Sequence, residues 1–384
     1  AATPPAQGPA AAGQARQRVL DDLPTFVEQL LAQAGANGIH VAHVTSAQDA
    51  NRRIIHILRE AGSTEILRNH ALILDEIGVD RAAAANAIRI TRLHAGDHIV
   101  ELAGERGSHP LWPAAHLPAE AISATLQAKM RVPATVDPDL LASTLRMPLR
   151  RTLLRTHTAI VGLNFAVAAD GALVTLDADG HNASLIALAQ HLICVLSVEQ
   201  IVADSADLDL LIAAFARGAW GRALPSYITQ IDRPAPSGGD GPRRVHLILV
   251  DNGRSRILTA GFGEALRCIH CGACHNVCPL FQQVGAAGYG PAPYSGPIAG
   301  VIHPILLRPG LAADAAFLCS ACTACGPVCP VGIDLPRLLQ AQRQRQRVWH
   351  RRGRLAFWLW QRLLPHPWLF FPVLRLAGRR WRRP

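Results

Sequence analysis

Cys268-Ile-His-Cys271-Gly-Ala-Cys274-His-Asn-Val-Cys278-Pro279 and Cys319-Ser-Ala-Cys322-Thr-Ala-Cys325-Gly-Pro-Val-Cys329-Pro330 follow one pattern, C-x₂-C-x₂-C-x₃-C-P, twice without a departure. Three thiolates at successive spacings of three let one loop wrap three corners of an iron–sulfur cube. The fourth Cys, after a longer step and before a Pro, reaches the neighbouring cube. The spacing therefore assigns Cys268, Cys271, Cys274 and Cys329 to one [4Fe-4S] cluster, and Cys319, Cys322, Cys325 and Cys278 to a second. A pair of zinc sites would instead use C-x₂-C pairs set apart by a longer loop. Between the ligands stand Gly272, Ala273, Ser320, Ala321, Ala324 and Gly326, small enough for backbone N–H groups to approach the sulfurs.

Outward from these motifs, the chain of 384 residues is 49% hydrophobic, enough for a sizeable core and for two domains. Eight of the nine cysteines lie in the two motifs; the ninth, Cys194, sits in the apolar run His191 to Ser197 and reads as a small core residue. Clustered cysteines indicate metal ligation rather than a disulfide framework, and Ala1 to Gln17 has no charged-then-apolar order of a signal peptide. Both features imply a reducing cytoplasm. The formal charge of +10 is localised: residues 341–384 carry twelve Arg and no Asp or Glu, leaving the rest of the chain at −2. The same tail holds five of the seven Trp. A near-neutral body with a basic aromatic tail suggests a docking surface and no nucleic-acid partner. A metal-stabilised nucleic-acid-binding module is the competing class.

Upstream of the cysteines the pattern predicts an α/β domain. Arg16 to Ala34 has helical spacing, Gly38 to Val44 alternates as a strand, and Ser46 caps a helix over 47–61 with Ile54, Ile55, Ile57 and Leu58 buried. Short strands at 65–67 and 88–93 flank a helix over 74–87, and a helix over 138–156 precedes strands at 159–163, 165–168, 172–176, 191–197 and 245–250. Strand and helix in alternation predict a mostly parallel sheet covered on its faces. The division reads as a flexible N-terminus, 1–20, an α/β domain, 21–255, an α-helical ferredoxin-like two-cluster domain, 256–342, and a basic aromatic tail, 343–384. Leu338 to Leu364 reads as a helix, and Pro365, Pro367 and Pro372 with Arg362 and Arg375 argue against a membrane span. Its apolar and basic faces suit the bilayer surface or a groove on a partner, and packing back on its own domain is a third reading of equal weight.

The α/β order, Asp251-Asn-Gly-Arg-Ser255, the first cysteine motif and Tyr294-Ser-Gly-Pro297-Ile together resemble the iron–sulfur subunit of the bacterial L-lactate utilisation system, the lactate utilisation protein B family. Asp75-Glu-Ile-Gly78, Ser108-His-Pro110 with Pro113-Ala-Ala-His116, and Gly162-Leu-Asn-Phe165 extend the likeness across 38–343. The resemblance implies an N-terminal fold similar to the ribose-phosphate isomerase and CoA-transferase group. It also implies sister subunits, and a shared oxidation of L-lactate to pyruvate in which this chain relays electrons, at the inner face of the membrane if the tail touches it. Arg68-Asn-His-Ala71, His94-Ala-Gly-Asp97, Ala168-Ala-Asp-Gly171 and Asp179-Gly-His-Asn182 depart from the family's usual runs. Another 2-hydroxy acid, with the α/β domain as scaffold, is therefore the alternative. Candidate residues at strand ends are Glu76, Asp97, His109, His116, Asn164, Asp170 and Asn182. No Gly-rich phosphate fingerprint follows a strand.

Overall fold

The computed structural model describes residues 8–290, 293–307 and 313–347, together with Trp358, Gln361, Arg362 and Pro365. Residues up to Leu339 form one compact unit and those from Gln340 on form another. Ten strands are present among the described residues: β1 (His40–Val44), β2 (Glu65–Arg68), β3 (Arg89–Arg92), β4 (Thr158–Gly162), β5 (Phe165–Val167), β6 (Leu173–Asp177), β7 (His191–Ser197), β8 (Ile201–Val202), β9 (Tyr227–Ile231) and β10 (Arg244–Val250). Six form a sheet in the order β1-β10-β7-β4-β2-β3, and every pairing in it is parallel. The mostly parallel α/β architecture expected from the sequence is present.

The centre of this sheet explains its apolar strands. Along β7, Leu192, Cys194 and Leu196 face one hydrophobic core, and Ile193 and Val195 face the other. A parallel strand covered on both faces has no polar side to show, which is why β7 reads as an unbroken apolar run. One core packs against helices Pro9–Asp21 and Leu23–Ala36 through Val19, Val27 and Leu30. The other packs against helix Ala47–Glu60 through Ile54, Ile55, Ile57 and Leu58, and Ser46 caps that helix by accepting from the Asp49 N–H at 3.1 Å. Cys194 is fully buried mid-sheet, as a core residue should be.

Four features differ from the sequence expectation. The first is that the start does not remain flexible to residue 20: helix Pro9–Asp21 buries Arg16 and Val19. The second is a break at Asp22, where one helix was expected over 16–34; Pro24 has no N–H to bond back into the preceding turn, so it is accommodated in the first turn of a new helix rather than inside a continuous one. The third is that 74–87 forms two short helices, Leu72–Ile77 and Val79–Ala84, parted by Gly78 at φ +69°. The fourth is a second sheet, β8-β5-β6-β9. Its β5–β6 hairpin turns at Gly171, where a Cβ would lie 2.6 Å from the Ala34 nitrogen. The cysteine-rich segment is built from short helices, among them Ala273–Asn276, Pro279–Val284 and Gly296–Leu306. The last described helix is Leu335–Arg347, so most of the helix expected over 338–364, and the tail beyond it, lie outside the described residues. Among the described residues no helix is long and apolar enough to cross a membrane.

Candidate iron–sulfur site and the buried ion network beneath it

The two cysteine motifs are repeats in conformation as well as in sequence. His270 and Gly272 in the first have φ of +57° and +78°; Ala321 and Thr323, their equivalents in the second, have +60° and +63°. Three of these four carry side chains that disfavour left-handed backbone, at a cost on the order of 1–2 kcal/mol each. The return is a loop whose N–H groups turn inward. His270 N–H donates to Cys268 Sγ at 3.4 Å, and Ala321 N–H makes the same bond to Cys319 Sγ at 3.3 Å. Likewise Ala273 N–H serves the Cys271 sulfur and Ala324 N–H that of Cys322.

None of the nine cysteines is in a disulfide. Cys268, Cys271, Cys274 and Cys329 line one cavity, walled by Ile298, Val331 and Ile333, with no charged side chain among its described lining residues. Burial, then the proximity of other thiols, raises Cys268, Cys271 and Cys274; Cys271 goes to about 11, and Cys329 contributes to each shift. A thiol shifted upward by crowded neighbours is one that gains from a cationic iron centre, and an apolar wall keeps water away from it. The residues present therefore suit an iron–sulfur group. The other four cysteines also associate across motifs. Burial, then Cys319, Cys322 and Cys278, raises Cys325 to about 11, and the Tyr289 hydroxyl lies 3.9 Å from Cys278 Sγ. This second group is nearer solvent, with Cys322 exposed, its thiol lowered by the Ala324 N–H and the Ser320 hydroxyl.

The motifs rest on the carboxyl ends of the parallel strands, and a buried ion network joins the two. Arg254, just past β10, is 2% exposed. Its guanidinium donates to both carboxylate oxygens of Glu76, at 2.6 Å for Oε2, to both of Glu199 at 3.1 and 3.2 Å, and to the Tyr294 hydroxyl at 2.8 Å. Asn252 and Tyr294 donate to Glu76 as well. Burial alone pushes the Glu76 carboxyl up, but Arg254, with Tyr294 and Asn252, outweighs it and holds Glu76 below the usual carboxylate range. Because Tyr294 belongs to the segment between the cysteine motifs, the network fastens that segment to the sheet. Gln200 adds a second tie, its amide donating to the Cys268 carbonyl at 3.2 Å.

A second cavity, about 80 Å³, lies between strand ends and the first motif, lined by His70, Asn164, Ser197, Gln200, His270 and Tyr294 among others. His70 Nδ1 is 2.8 Å from Asp97 Oδ2, and its Nε2 is 2.6 Å from the Pro110 carbonyl. Both partners accept, so the ring is held doubly protonated. Burial alone lowers His70, yet Asp97 outweighs burial and the net shift is upward. Arg68, fully buried, is paired with Asp75 and Asp80. Beside these, an open cleft of about 990 Å³ is bordered by Asp75, Glu76, Asp97, Arg106 and His109.

Of the seven candidate α/β residues, the structure brings Glu76, Asp97, His109 and Asn164 to this face. His109 packs edge-on to His275 at 5.6 Å and against Gly272, whose Cβ, were there one, would sit 2.8 Å from His109 Cε1. The other three lie elsewhere. His116 pairs with Glu105 on the surface, Asp170 accepts from Ala172 N–H in the β5–β6 turn, and Asn182 is held at a helix start by Asp177. Sequence reading missed Arg16, Arg68, His70, Glu199, Gln200, Arg254 and Tyr294 as site residues. For Arg16 a signal existed: Ala12, Ala15, Val19 and Leu20 are buried, and Arg16 occupies the remaining position of that i, i+3, i+4, i+7, i+8 stripe. An arginine on a helix's apolar stripe is either paired or cradled inside.

An α/β sheet bearing a paired C-x₂-C-x₂-C-x₃-C-P module defines an iron–sulfur protein of the redox class. Residues 27–250 match the LUD domain, and residues 264–333 match the 4Fe-4S dicluster domain. The chain is 34% identical over 335 residues to the protein called lactate utilization protein B of Bacillus velezensis, covering 87% of this chain and 70% of that one. Lactate utilization protein B of Geobacillus kaustophilus gives the same identity and coverage. The uncharacterized electron transport protein YkgF of Escherichia coli is also 34% identical, over 334 residues, with 87% and 70% covered. A crystal structure of a DUF162 family protein from Deinococcus radiodurans covers 60% of this chain at 18% identity, with a TM-score of 0.35. The chain belongs to the lactate utilization protein B family.

Proposed function

We propose that this chain is the iron–sulfur electron-transfer subunit of an oxidoreductase complex that oxidises L-lactate to pyruvate. In this reading Cys268, Cys271, Cys274 and Cys329 hold one [4Fe-4S] cluster, and Cys319, Cys322, Cys325 and Cys278 hold another. The observation that supports it is that Cys329 of the second motif lines the same cavity as Cys268, Cys271 and Cys274 of the first. When bound, such clusters take up and release single electrons without a proton. The chain's own part is to exclude water around the first set with Ile298, Val331 and Ile333, to aim N–H groups at the sulfurs, and to expose the second set through Cys322. That gradient of burial supports entry of electrons near the strand ends and exit at the surface. The sister subunits are the proposed partners. The family supports this, since its relatives are named for lactate utilisation and, in one case, for electron transport.

A second reading, that the α/β domain is a scaffold serving another 2-hydroxy acid, is favoured by one observation. The cations at the strand ends, Arg68, His70 and Arg254, all have acceptors within the chain. The test is anaerobic purification with iron and sulfide analysis, followed by reduction of the chromophore by L-lactate in the presence of the sister subunits. Eight iron and eight sulfide per chain are expected for two cubanes. A colourless protein holding zinc overturns the electron-carrier reading. A bleaching chromophore that ignores L-lactate but responds to another 2-hydroxy acid selects the second.

A further inference from the structure

Helix Pro9–Asp21 precedes the matched LUD domain, yet its Arg16 is placed at the first cysteine motif. The side chain is 1% exposed. Its guanidinium donates to four backbone carbonyls, those of Ile201 at 3.1 Å, Leu266 at 3.0 Å, Arg267 at 3.3 Å and Glu199. Two of these belong to the turn that leads directly into Cys268. Among the described residues no carboxylate bonds to it; the Glu199 carboxylate is bonded to Arg254. An arginine stays protonated in proteins, and burial lowers this one only to about 10, so a full positive charge is held inside. Carbonyl dipoles solvate such a charge without neutralising it. Its field reaches the Glu199 carboxylate and the Cys268 sulfur.

A buried cation without a bonded counter-ion is costly, and a negative group placed nearby offsets part of that cost. We infer that Arg16 is a positioning residue for the first cluster site: its charge stabilises the added electron there and so raises that site's reduction potential. This rests on the ligand set proposed above. The sign does not depend on how Arg16's field is shared with Glu199, because removing the cation makes the surroundings of Cys268 more negative in either case. A more negative surrounding disfavours the reduced state. The placement also makes the N-terminal helix, outside both matched domains, part of the redox machinery. Arg18, on the same helix, is the natural comparison: its side chain is 52% exposed and pairs with Asp204 and Asp207.

The experiment is an anaerobic redox titration of the iron-loaded full chain, followed by electron paramagnetic resonance and iron analysis, for wild type, Arg16→Met, Arg16→Gln, Arg16→Lys and Arg18→Gln. Arg16→Met is expected to lower the reduced-to-oxidised ratio of one centre about tenfold at fixed potential, equal to 59 mV for one electron. Arg16→Lys and Arg18→Gln are expected to stay near wild type. A fully loaded Arg16→Met or Arg16→Gln with the wild-type midpoint overturns the inference, as does an Arg16→Lys displaced as far as the Met variant. If both neutral variants fail to load iron while Arg16→Lys loads, the charge is required for the site to form, which upholds it. If Arg16→Lys also fails, the residue is structural and the inference falls. A wild-type chain that holds no iron rejects the electron-carrier reading itself.

Discussion

Replacing Arg254 with Met removes the one cation that Glu76 and Glu199 share, with the exposures of the three side chains at 2%, 8% and 4%. Breaking a buried ion pair by deleting one partner costs about 3–5 kcal/mol, because the charge left behind has neither water nor a counter-ion. For a unit of this size that amounts to a fall in thermal midpoint of about 4–7 °C at pH 7. The pH dependence carries a sharper signature. In the wild type Glu76 is held below its ordinary 4.5, so its contribution is present above that pH and is lost as pH falls through the lower folded value. In the variant, burial acts without Arg254 and raises Glu76 above 4.5, each unit being worth about 1.36 kcal/mol. The sign of the slope then reverses, and the variant is closest to wild type near pH 5 and furthest from it near pH 8.

Thermal scans of the iron-loaded chain from pH 5 to 8 read both effects. Arg254→Met combined with Glu76→Gln and Glu199→Gln, which removes the stranded charges, should recover more than half of the loss. Arg254→Lys should fall between, since an ammonium cannot reach two carboxylates and the Tyr294 hydroxyl in one plane. A midpoint within about 2 °C of wild type, with parallel pH profiles, would refute the claim that this network fastens the cysteine module to the sheet.

The remaining expectations follow from the same structure. Cys329→Ser should cost iron and the resonance signal of the centre held by Cys268, Cys271 and Cys274, whereas Cys278→Ser should affect the other centre; iron analysis of each variant decides, and loss confined to the mutated motif's own set rejects the crosswise assignment. Gly272→Ala forces a Cβ to 2.8 Å from His109 Cε1 at a left-handed residue, so iron retention should drop, while Thr323→Gly relieves the equivalent strain by about 1 kcal/mol and should slow iron loss to a chelator. His70 is raised in the fold, so its pairing with Asp97 stabilises fully below about pH 6.5 and fades as pH rises through the folded value. Thermal scans of His70→Gln against wild type should therefore converge toward high pH, and a difference that grows above pH 7 contradicts the doubly protonated ring.

What could be read from the chain, and what could not, divides along the range over which a residue's environment is set. The cysteine motifs are legible because their spacing lies along one loop, and Cys268, Cys271 and Cys274 of the first motif line one cavity together. The strand β7 is legible because burial on both faces leaves an apolar run, and Ser46 is legible because capping is a contact across three residues. The two-residue β8 and the half-exposed β9 carry no periodic signal, so the second sheet stayed hidden. The ion network is the extreme case. Arg254 meets Glu76 across 178 positions, Tyr294 meets Glu76 across 218, and Arg16 reaches the Glu199 carbonyl across 183. No local pattern encodes such partners; Glu76, Glu199 and Arg254 each resemble a solvated surface charge. Only Arg16 violates its surroundings, as the one charged member of a buried helical stripe. That violation is more informative than conformity to the pattern, because a cation retained at a core position against its desolvation cost must be offset by something else at that position, and here it is bonded to the carbonyls of Leu266 and Arg267, the turn that leads into Cys268.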